Sequence, residues 1–229
     1  MIRAIIFDVD GTLAETEELH RRAFNDTFAR IGVDWHWDRE IYRDLLTTTG
    51  GKERIERFLR YQAGDPAPLP VAEIHALKTA RYVELVAAGH VALRPGIAAL
   101  IEEAQRAGVR LAMATTTSLP SADALCRAAF GRPAAEVFEA IAAGDMVAAK
   151  KPAPDVYLLA LQQLGLPPED CVALEDSRNG LRAARAAGLR CIVSPGFYTL
   201  GEDFTGAARR VDCFADLGGL DGLRETVGA

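Results

Sequence analysis

Short apolar runs and helix-spaced apolar stripes alternate along most of the chain, but not along its first third. Ala4-Ile5-Ile6-Phe7 is a continuous apolar run that stops at Asp8-Val9-Asp10-Gly11-Thr12. A run of this length ended by a turn signal predicts a buried strand of a parallel sheet. From Glu15 to Ile31 the apolar residues Leu19, Ala23, Phe24, Phe28 and Ile31 recur every three or four positions. That spacing predicts a helix, and Gly32 ends it. Further helices are expected over Asp38 to Leu46, from near Lys52 with Ile55, Phe58 and Leu59 on one face, and over Val71 to Ala88. Thr47 to Gly51 and the Pro-rich stretch Gly64 to Pro70 are read as loops. No strand pattern interrupts residues 16–88.

After Leu93-Arg94-Pro95-Gly96 the pattern changes. Helices are expected over Ile97 to Ala107, Asp123 to Phe130, Asp155 to Leu164 and Leu181 to Ala187. Strands are expected over Val109 to Ala114, Val137 to Ile141, Cys171 to Leu174 and Cys191 to Val193. Such alternation implies a parallel sheet with helices on both faces. The predicted fold class is therefore α/β: a Rossmann-like parallel-sheet core from residues 1–15 and 89–229, with a helical domain, 16–88, inserted after the first strand. The Gly- and Asp-rich tail from Gly201 shows only a short final helix near Leu220.

Composition narrows the function. Of 229 residues 49% are hydrophobic and 25% charged, as in a soluble protein, and the net charge of −6 disfavours a nucleic-acid binder with its basic face. No apolar run has the length of a membrane span, and the first one is too short for a signal-peptide core. Cys126, Cys171, Cys191 and Cys213 lack metal-type spacing; Cys171 and Cys191 open apolar runs and read as buried thiols, with a reducing cytoplasm the simplest compartment. A monomer is compatible with the sequence, which does not fix the oligomeric state.

The candidate chemistry sits where predicted strands end. Asp8 and Asp10 follow the first strand at i and i+2, where open α/β sheets place ligands. Two such charges about 4 Å apart repel by roughly 4 kcal/mol at an effective dielectric of about 20. They form either a surface turn or a hard-cation site that leaves one carboxylate as nucleophile or acid. Thr115-Thr116-Thr117-Ser118 follows another strand and is either a helix N-cap or an oxyanion cradle. Lys150-Lys151-Pro152 precedes a helix and could neutralise an anion or be a solvated turn. Glu175-Asp176 ends a further strand and could cap a helix or complete a cation site. Strand ends of one sheet converge, so the four together suit Mg²⁺ and a phosphoryl group.

Asp8-x-Asp10-Gly11-Thr12, Thr115, Lys151-Pro152 and Glu175-Asp176, in this order, resemble the four motifs of the haloacid dehalogenase superfamily of phosphohydrolases. The helical insert is similar to that superfamily's small four-helix cap. The resemblance implies that Asp8 attacks phosphorus, that Asp10 protonates the leaving alcohol and then activates water, and that Thr115 and Lys151 hold the phosphoryl oxygens. It implies Mg²⁺ on Asp8, the Asp10 carbonyl and Asp176, with Glu175 as helper or outer-shell ligand.

The insert should then set the substrate. Glu17 and His20 lie one turn apart, either overhanging the site or on a solvated face. Thr49-Gly50-Gly51-Lys52-Glu53-Arg54 joins a glycine turn to a cationic helix start, an anion site or an exposed basic helix. Lys78 is a surface lysine or a third cation. A second anion site implies a substrate with two phosphates. Glu17, His20, the Thr-Gly-Gly-Lys-Glu-Arg loop and Thr115 to Ser118 also look like the CbbY group. That likeness implies a small phosphosugar substrate, xylulose-1,5-bisphosphate, whose removal relieves Rubisco inhibition in the Calvin cycle. The alternatives are a β-phosphoglucomutase-like mutase or a broader sugar-phosphate phosphatase.

Overall fold

The computed structural model describes residues 2–61, 68–89 and 91–228. Most of the expected Gly64 to Pro70 loop lies outside the described residues. The chain forms a six-stranded parallel sheet in the order β3-β2-β1-β4-β5-β6. These are β1 (Ala4–Phe7), β2 (Arg110–Ala114), β3 (Ala140–Ala142), β4 (Cys171–Glu175), β5 (Arg190–Val193) and β6 (Arg209–Arg210).

The apolar run Ala4–Phe7 takes the inner position because every one of its side chains is buried, as a strand covered on both faces requires. Ile5 and Phe7 point to one face, against α5 (Ile97–Arg106), α6 (Leu119–Phe130) and α10 (Gly219–Gly228). Ala4 and Ile6 point to the other, against α8 (Asp155–Leu164) and α9 (Arg178–Ala186). Phe7 pairs with Met113 on one side and Leu174 on the other. Asp8, Ala114 and Glu175 therefore leave the sheet at one level.

Between β1 and α5 the chain forms α1 (Glu17–Arg30), α2 (Arg39–Leu46), α3 (Gly51–Tyr61) and α4 (Val71–Ala88). Their own core is aromatic, with Phe24, Phe28, Trp37, Tyr42 and Phe58 in one cluster. Trp37 packs 4.4 Å from Phe24 and 5.0 Å from Phe28, centroid to centroid.

Several expected boundaries move. The strand expected over Val137 to Ile141 is a short helix, α7 (Ala134–Val137), followed by β3. Phe138 N donates to Ala134 O at 2.8 Å, closing the turn, and its ring packs on Phe7 rather than joining the sheet. α6 begins at Leu119 and α9 at Arg178, each ahead of its apolar stripe. At α9 Ser177 Oγ accepts from Gly180 N and opens the helix early. β6 has no apolar pattern at all: both arginines are exposed at the sheet edge, where charge discourages further pairing.

Buried Arg94 ties the return crossing to the site. Nη1 donates to the carbonyls of Gly11 and Ser194, and Nη2 to Ser194 Oγ at 2.8 Å and Pro195 O at 2.9 Å. Arg94→Met keeps the stem but strands these acceptors. It is expected to lower unfolding free energy by about 3 kcal/mol. Urea titration checks this, and an unchanged midpoint would show that water replaces the guanidinium.

Candidate active site

The β1, β2 and β4 ends open into a cavity of about 1520 Å³, with the helical insert as its opposite wall. Asp8, Asp10, Thr115, Lys151 and Asp176 line its floor, while Glu17, His20, Gly50 to Arg54, His75 and Lys78 line its roof. Thr116, Thr117 and Ser118 complete the β2 side. Glu175 is wholly buried beneath them.

Lys151 organises the floor. Its Nζ donates to Asp8 Oδ1 at 2.7 Å, Glu175 Oε1 at 2.6 Å and Ala114 O at 2.9 Å. Lys150, by contrast, turns to the carbonyls of Gly144 and Val147. Tyr157 Oη also donates to Glu175 Oε1, at 2.6 Å, while Asp176 N and Ser177 Oγ donate to Oε2. Glu175 is thus saturated and acts as the buried anion that holds Lys151. Gly180 leaves the space its carboxylate occupies: a Cβ there would collide with it.

Gly11, at φ +87°, turns the chain sharply beside Asp176, whose carboxylate would meet any Cβ at that position. Asp8, Glu175 and Asp176 each offer an oxygen within 4.8 Å of the others. Burial raises the Asp8 pKa to about 7, with Lys151 opposing and Glu175 and Asp10 adding to the rise. Burial, then Asp8 and Glu175, push Asp176 well above the carboxylate range. Burial works against a charged Lys151, but Asp8 and Glu175 outweigh it and raise its pKa. Three buried carboxylates therefore face one lysine, and among the described residues only the Thr199 hydroxyl, at 3.3 Å, bonds the Asp176 side chain. A hard dication fits this excess of oxygen and negative charge.

Asp10 stands on the floor but takes its side-chain partners from the insert. Thr16 Oγ1 donates to Asp10 Oδ1 at 2.5 Å and His20 Nε2 lies 2.9 Å from the same oxygen. Lys78 Nζ donates to His20 Nδ1 at 2.5 Å, so the His20 proton sits on Nε2 and is donated to Asp10. His20 stacks on Tyr82 at 3.9 Å and is 4% exposed, so it is no solvated helix face. Burial opposes ionisation of Asp10, but His20, Thr16 and Lys78 bring its pKa down to about 2. Lys78 is buried too. Its desolvation and Arg54 lower its pKa to about 7.

Glu17 is oriented by a residue that the sequence did not flag. Tyr42 Oη donates to Glu17 Oε2 at 2.5 Å and accepts from Arg54 Nη1 at 3.1 Å. Arg54 is buried, while Lys52 is exposed at the cavity wall. The Glu53 carboxylate folds over Gly50. Thr49 Oγ1 donates to Lys151 O and Asn179 Nδ2 to Thr47 O, so the loop before α3 touches the floor. Tyr42, His75, Tyr157, Arg94, Tyr198 and Thr199 carried no motif signal. Only the position of Arg94, at the change in pattern, hinted at a role.

The haloacid dehalogenase-like hydrolase family matches residues 2–188. The chain belongs to this family. Protein CbbY of Cereibacter sphaeroides is 74% identical over 223 residues, 97% of each chain. Protein CbbY of Rhodobacter capsulatus is 58% identical over 210 residues, 92% of each. A crystal structure of CbbY (mutant D10N) from Rhodobacter sphaeroides in complex with xylulose-(1,5)bisphosphate superposes with a TM-score of 0.96 at 73% identity, covering 97% of this chain and 99% of that one. As a member of this family with this carboxylate and lysine site, the chain is a phosphatase. Among the described residues no helix is long and apolar enough to cross a membrane.

The roof carries its own titration. Burial, then Lys78, Lys52, His20 and Arg54, lower the His75 pKa from 6.5 to about 3. Between those values the unfolded chain binds more protons than the folded one. The stability tied to this site is complete above pH 6.5 and is lost as the pH falls towards 3. His75→Asn is expected to flatten the acid side of the stability profile. Urea midpoints of both chains between about pH 7 and about pH 4 check this, and parallel profiles would rule it out.

Proposed function

We propose that the chain is a Mg²⁺-dependent sugar-bisphosphate phosphatase that converts xylulose-1,5-bisphosphate to xylulose 5-phosphate. The observation that carries the reading is the two-ended cavity. A carboxylate and lysine floor suits the transferring phosphoryl group, and Lys52, Arg54 and Lys78 in the roof suit a second anion. Identity of 74% to CbbY, and the xylulose-(1,5)bisphosphate complex of the Rhodobacter sphaeroides relative, support that substrate. In the same reading residues 16–88 act as a cap over a core made of 1–15 and 89–229.

The floor residues carry the chemistry. Lys151 holds Asp8 Oδ1, which leaves Oδ2 to attack phosphorus. The bond from phosphorus to the sugar oxygen breaks, and Asp10, which has to take up a proton before this step because its surroundings favour the ionised form, gives that proton to the oxygen. Asp10 Oδ1 is held by Thr16 and His20, so Oδ2 is the oxygen that carries the proton. Water then attacks the aspartyl-phosphate and loses a proton to Asp10, releasing phosphate and restoring Asp8. The ionised form favoured by its surroundings suits Asp10 to this second, base step.

Thr115 and Lys151 bind the phosphoryl oxygens, with Thr116, Thr117 and Ser118 beside them. Asp8, the Asp10 carbonyl and Asp176 would hold Mg²⁺, with Glu175 outside them. Bound Mg²⁺ would offset the carboxylate charge and polarise the phosphoryl oxygens. Glu17, His20 and Gly50 to Arg54 would orient the sugar and its far phosphate.

Asp8→Asn is expected to reduce phosphate release by more than about a thousandfold while the chain stays folded by circular dichroism. Turnover equal to the wild type would exclude Asp8 as nucleophile. The substrate reading is tested by phosphate release from pentulose and hexose mono- and bisphosphates, with and without Mg²⁺. A 1,5-bisphosphorylated pentulose is expected to be preferred, and Lys52→Ala to cost at least about tenfold more for it than for a monophosphate. Equal losses would remove the second-phosphate site. Return of an isomerised sugar phosphate without phosphate release would identify a mutase instead.

A further inference from the structure

The loop after β5 reaches across the cavity into the helical insert, and no part of the chemistry above uses it. Its start is fixed by Arg94, which donates to the carbonyls of Ser194 and Pro195. Its end is fixed at the floor, where Thr199 Oγ1 donates to Asp176 O at 2.7 Å and accepts from Gly196 N at 2.9 Å. Gly196 passes close to Asp176: a Cβ there would lie 3.0 Å from Oδ2.

Between these anchors Tyr198 leaves the core and joins the aromatic cluster of the insert, where it is 8% exposed. Its ring meets Tyr42 edge to face, with centroids 5.5 Å apart. The Arg43 guanidinium lies 5.6 Å from its centroid, and its hydroxyl donates to Glu18 Oε1. Its neighbour Phe197 takes Arg39 in the same way, at 5.7 Å. The touch on Tyr42 matters most, because Tyr42 Oη donates to Glu17 and accepts from Arg54.

We propose that Tyr198 is a positioning residue that docks the helical insert on the core through Tyr42, and so fixes Glu17 and Arg54 over the floor carboxylates. A continuous line of contacts runs from Asp176 through Thr199 and Tyr198 to Tyr42, and from there to Glu17 and Arg54. One end is a candidate cation ligand and the other a pair of substrate-facing side chains. Aromatic edge-to-face contact constrains orientation as well as distance. An aliphatic side chain would fill the volume without setting the Tyr42 hydroxyl. The inference rests on the reading of Glu17 and Arg54 as substrate-binding. It does not depend on which phosphosugar is bound.

The test is a double-mutant cycle on kcat/KM with whichever phosphosugar the enzyme hydrolyses best. Tyr198→Leu keeps apolar bulk, and Tyr42→Phe removes the hydroxyl that holds Glu17 and Arg54. Each single variant is expected to lose about tenfold. The double variant should fall no more than about twofold below the worse single one, because both break one linkage. Tyr198→Phe, which restores the ring, should recover most of the leucine loss. Losses that multiply, no recovery with phenylalanine, or a Tyr198→Leu value within about twofold of the wild type would each overturn the proposal. Should the leucine chain fail to fold, Tyr198→Met takes its place in the cycle under the same criteria. A failed bisphosphate preference in the Lys52→Ala comparison would leave this result intact, and the reverse also holds.

Discussion

The structure depends on an amine placed between carboxylates inside the end of a parallel sheet. Lys151 is 3% exposed and donates at once to Asp8 and Glu175. Taking such charges out of water costs several kcal/mol per ion unless their hydrogen-bonding capacity is filled. Here it is filled from the sheet and its helices, by Ala114 O, Tyr157 Oη, Asp176 N and Ser177 Oγ. The register of β1 with β2 and β4 makes this possible, since it brings three strand ends to one level. What remains are two buried carboxyl groups, Asp8 and Asp176, whose ionisation burial and their neighbours resist. Holding such groups together in the fold leaves them fit for a hard cation, whose charge would favour their ionised forms.

The insert repeats the same logic with opposite sign. Lys78 and Arg54 are buried, and Lys52 stands at the edge, around a cavity roof formed by α1, α3 and α4. Their repulsion is relieved by contacts with aromatic faces: Lys78 lies 4.7 Å from the Phe24 centroid and Arg54 5.2 Å from that of Tyr42. The aromatic core of the insert thus supports a cationic surface as well as its own packing. Its place in the chain follows from β1. A segment leaving the strand directly after Asp8 and Asp10 begins beside those carboxylates, so its first helix overhangs them.

Much of this was legible in the sequence where chemistry coincides with punctuation. Asp8, Asp10, Thr115, Lys151 and Asp176 each follow an apolar run or precede a proline or helix start, and all reach one cavity floor. The helical insert was legible because no alternating strand pattern breaks residues 16–88. Periodicity missed what depends on partners distant in sequence. Thr27 shares the buried face of α1 with His20, Ala23 and Phe24, yet a polar residue on that face gives no apolar signal; the spacing from Glu17 singled out His20 but not its burial. Tyr42 and Tyr198 read as ordinary core aromatics, since their hydroxyls bond partners remote in sequence: Glu17 and Arg54 for Tyr42, and Glu18, 180 positions away, for Tyr198. β6 was silent because a two-residue edge strand of exposed arginines has neither length nor pattern.

The two aspartates of the first motif tie the proposed reaction to the insert. They are separated by one residue, and their environments drive them apart: Asp8 is raised to about 7 and Asp10 lowered to about 2. Asp8 is surrounded by the sheet, with burial and Glu175 working against its charge. Asp10 takes its hydrogen bonds from Thr16 and from His20 of α1, with Lys78 of α4 behind the imidazole. Pairs of carboxylates pushed apart in this way divide roles between them. The division here follows the boundary between sheet and insert. Any displacement of the insert would therefore carry away the groups that set the charge and direction of Asp10, while leaving Asp8 and Lys151 as they are. In the proposed reading, nucleophile placement belongs to the core and proton handling to the insert, so the contact between the two bears on the chemistry as well as on the choice of substrate.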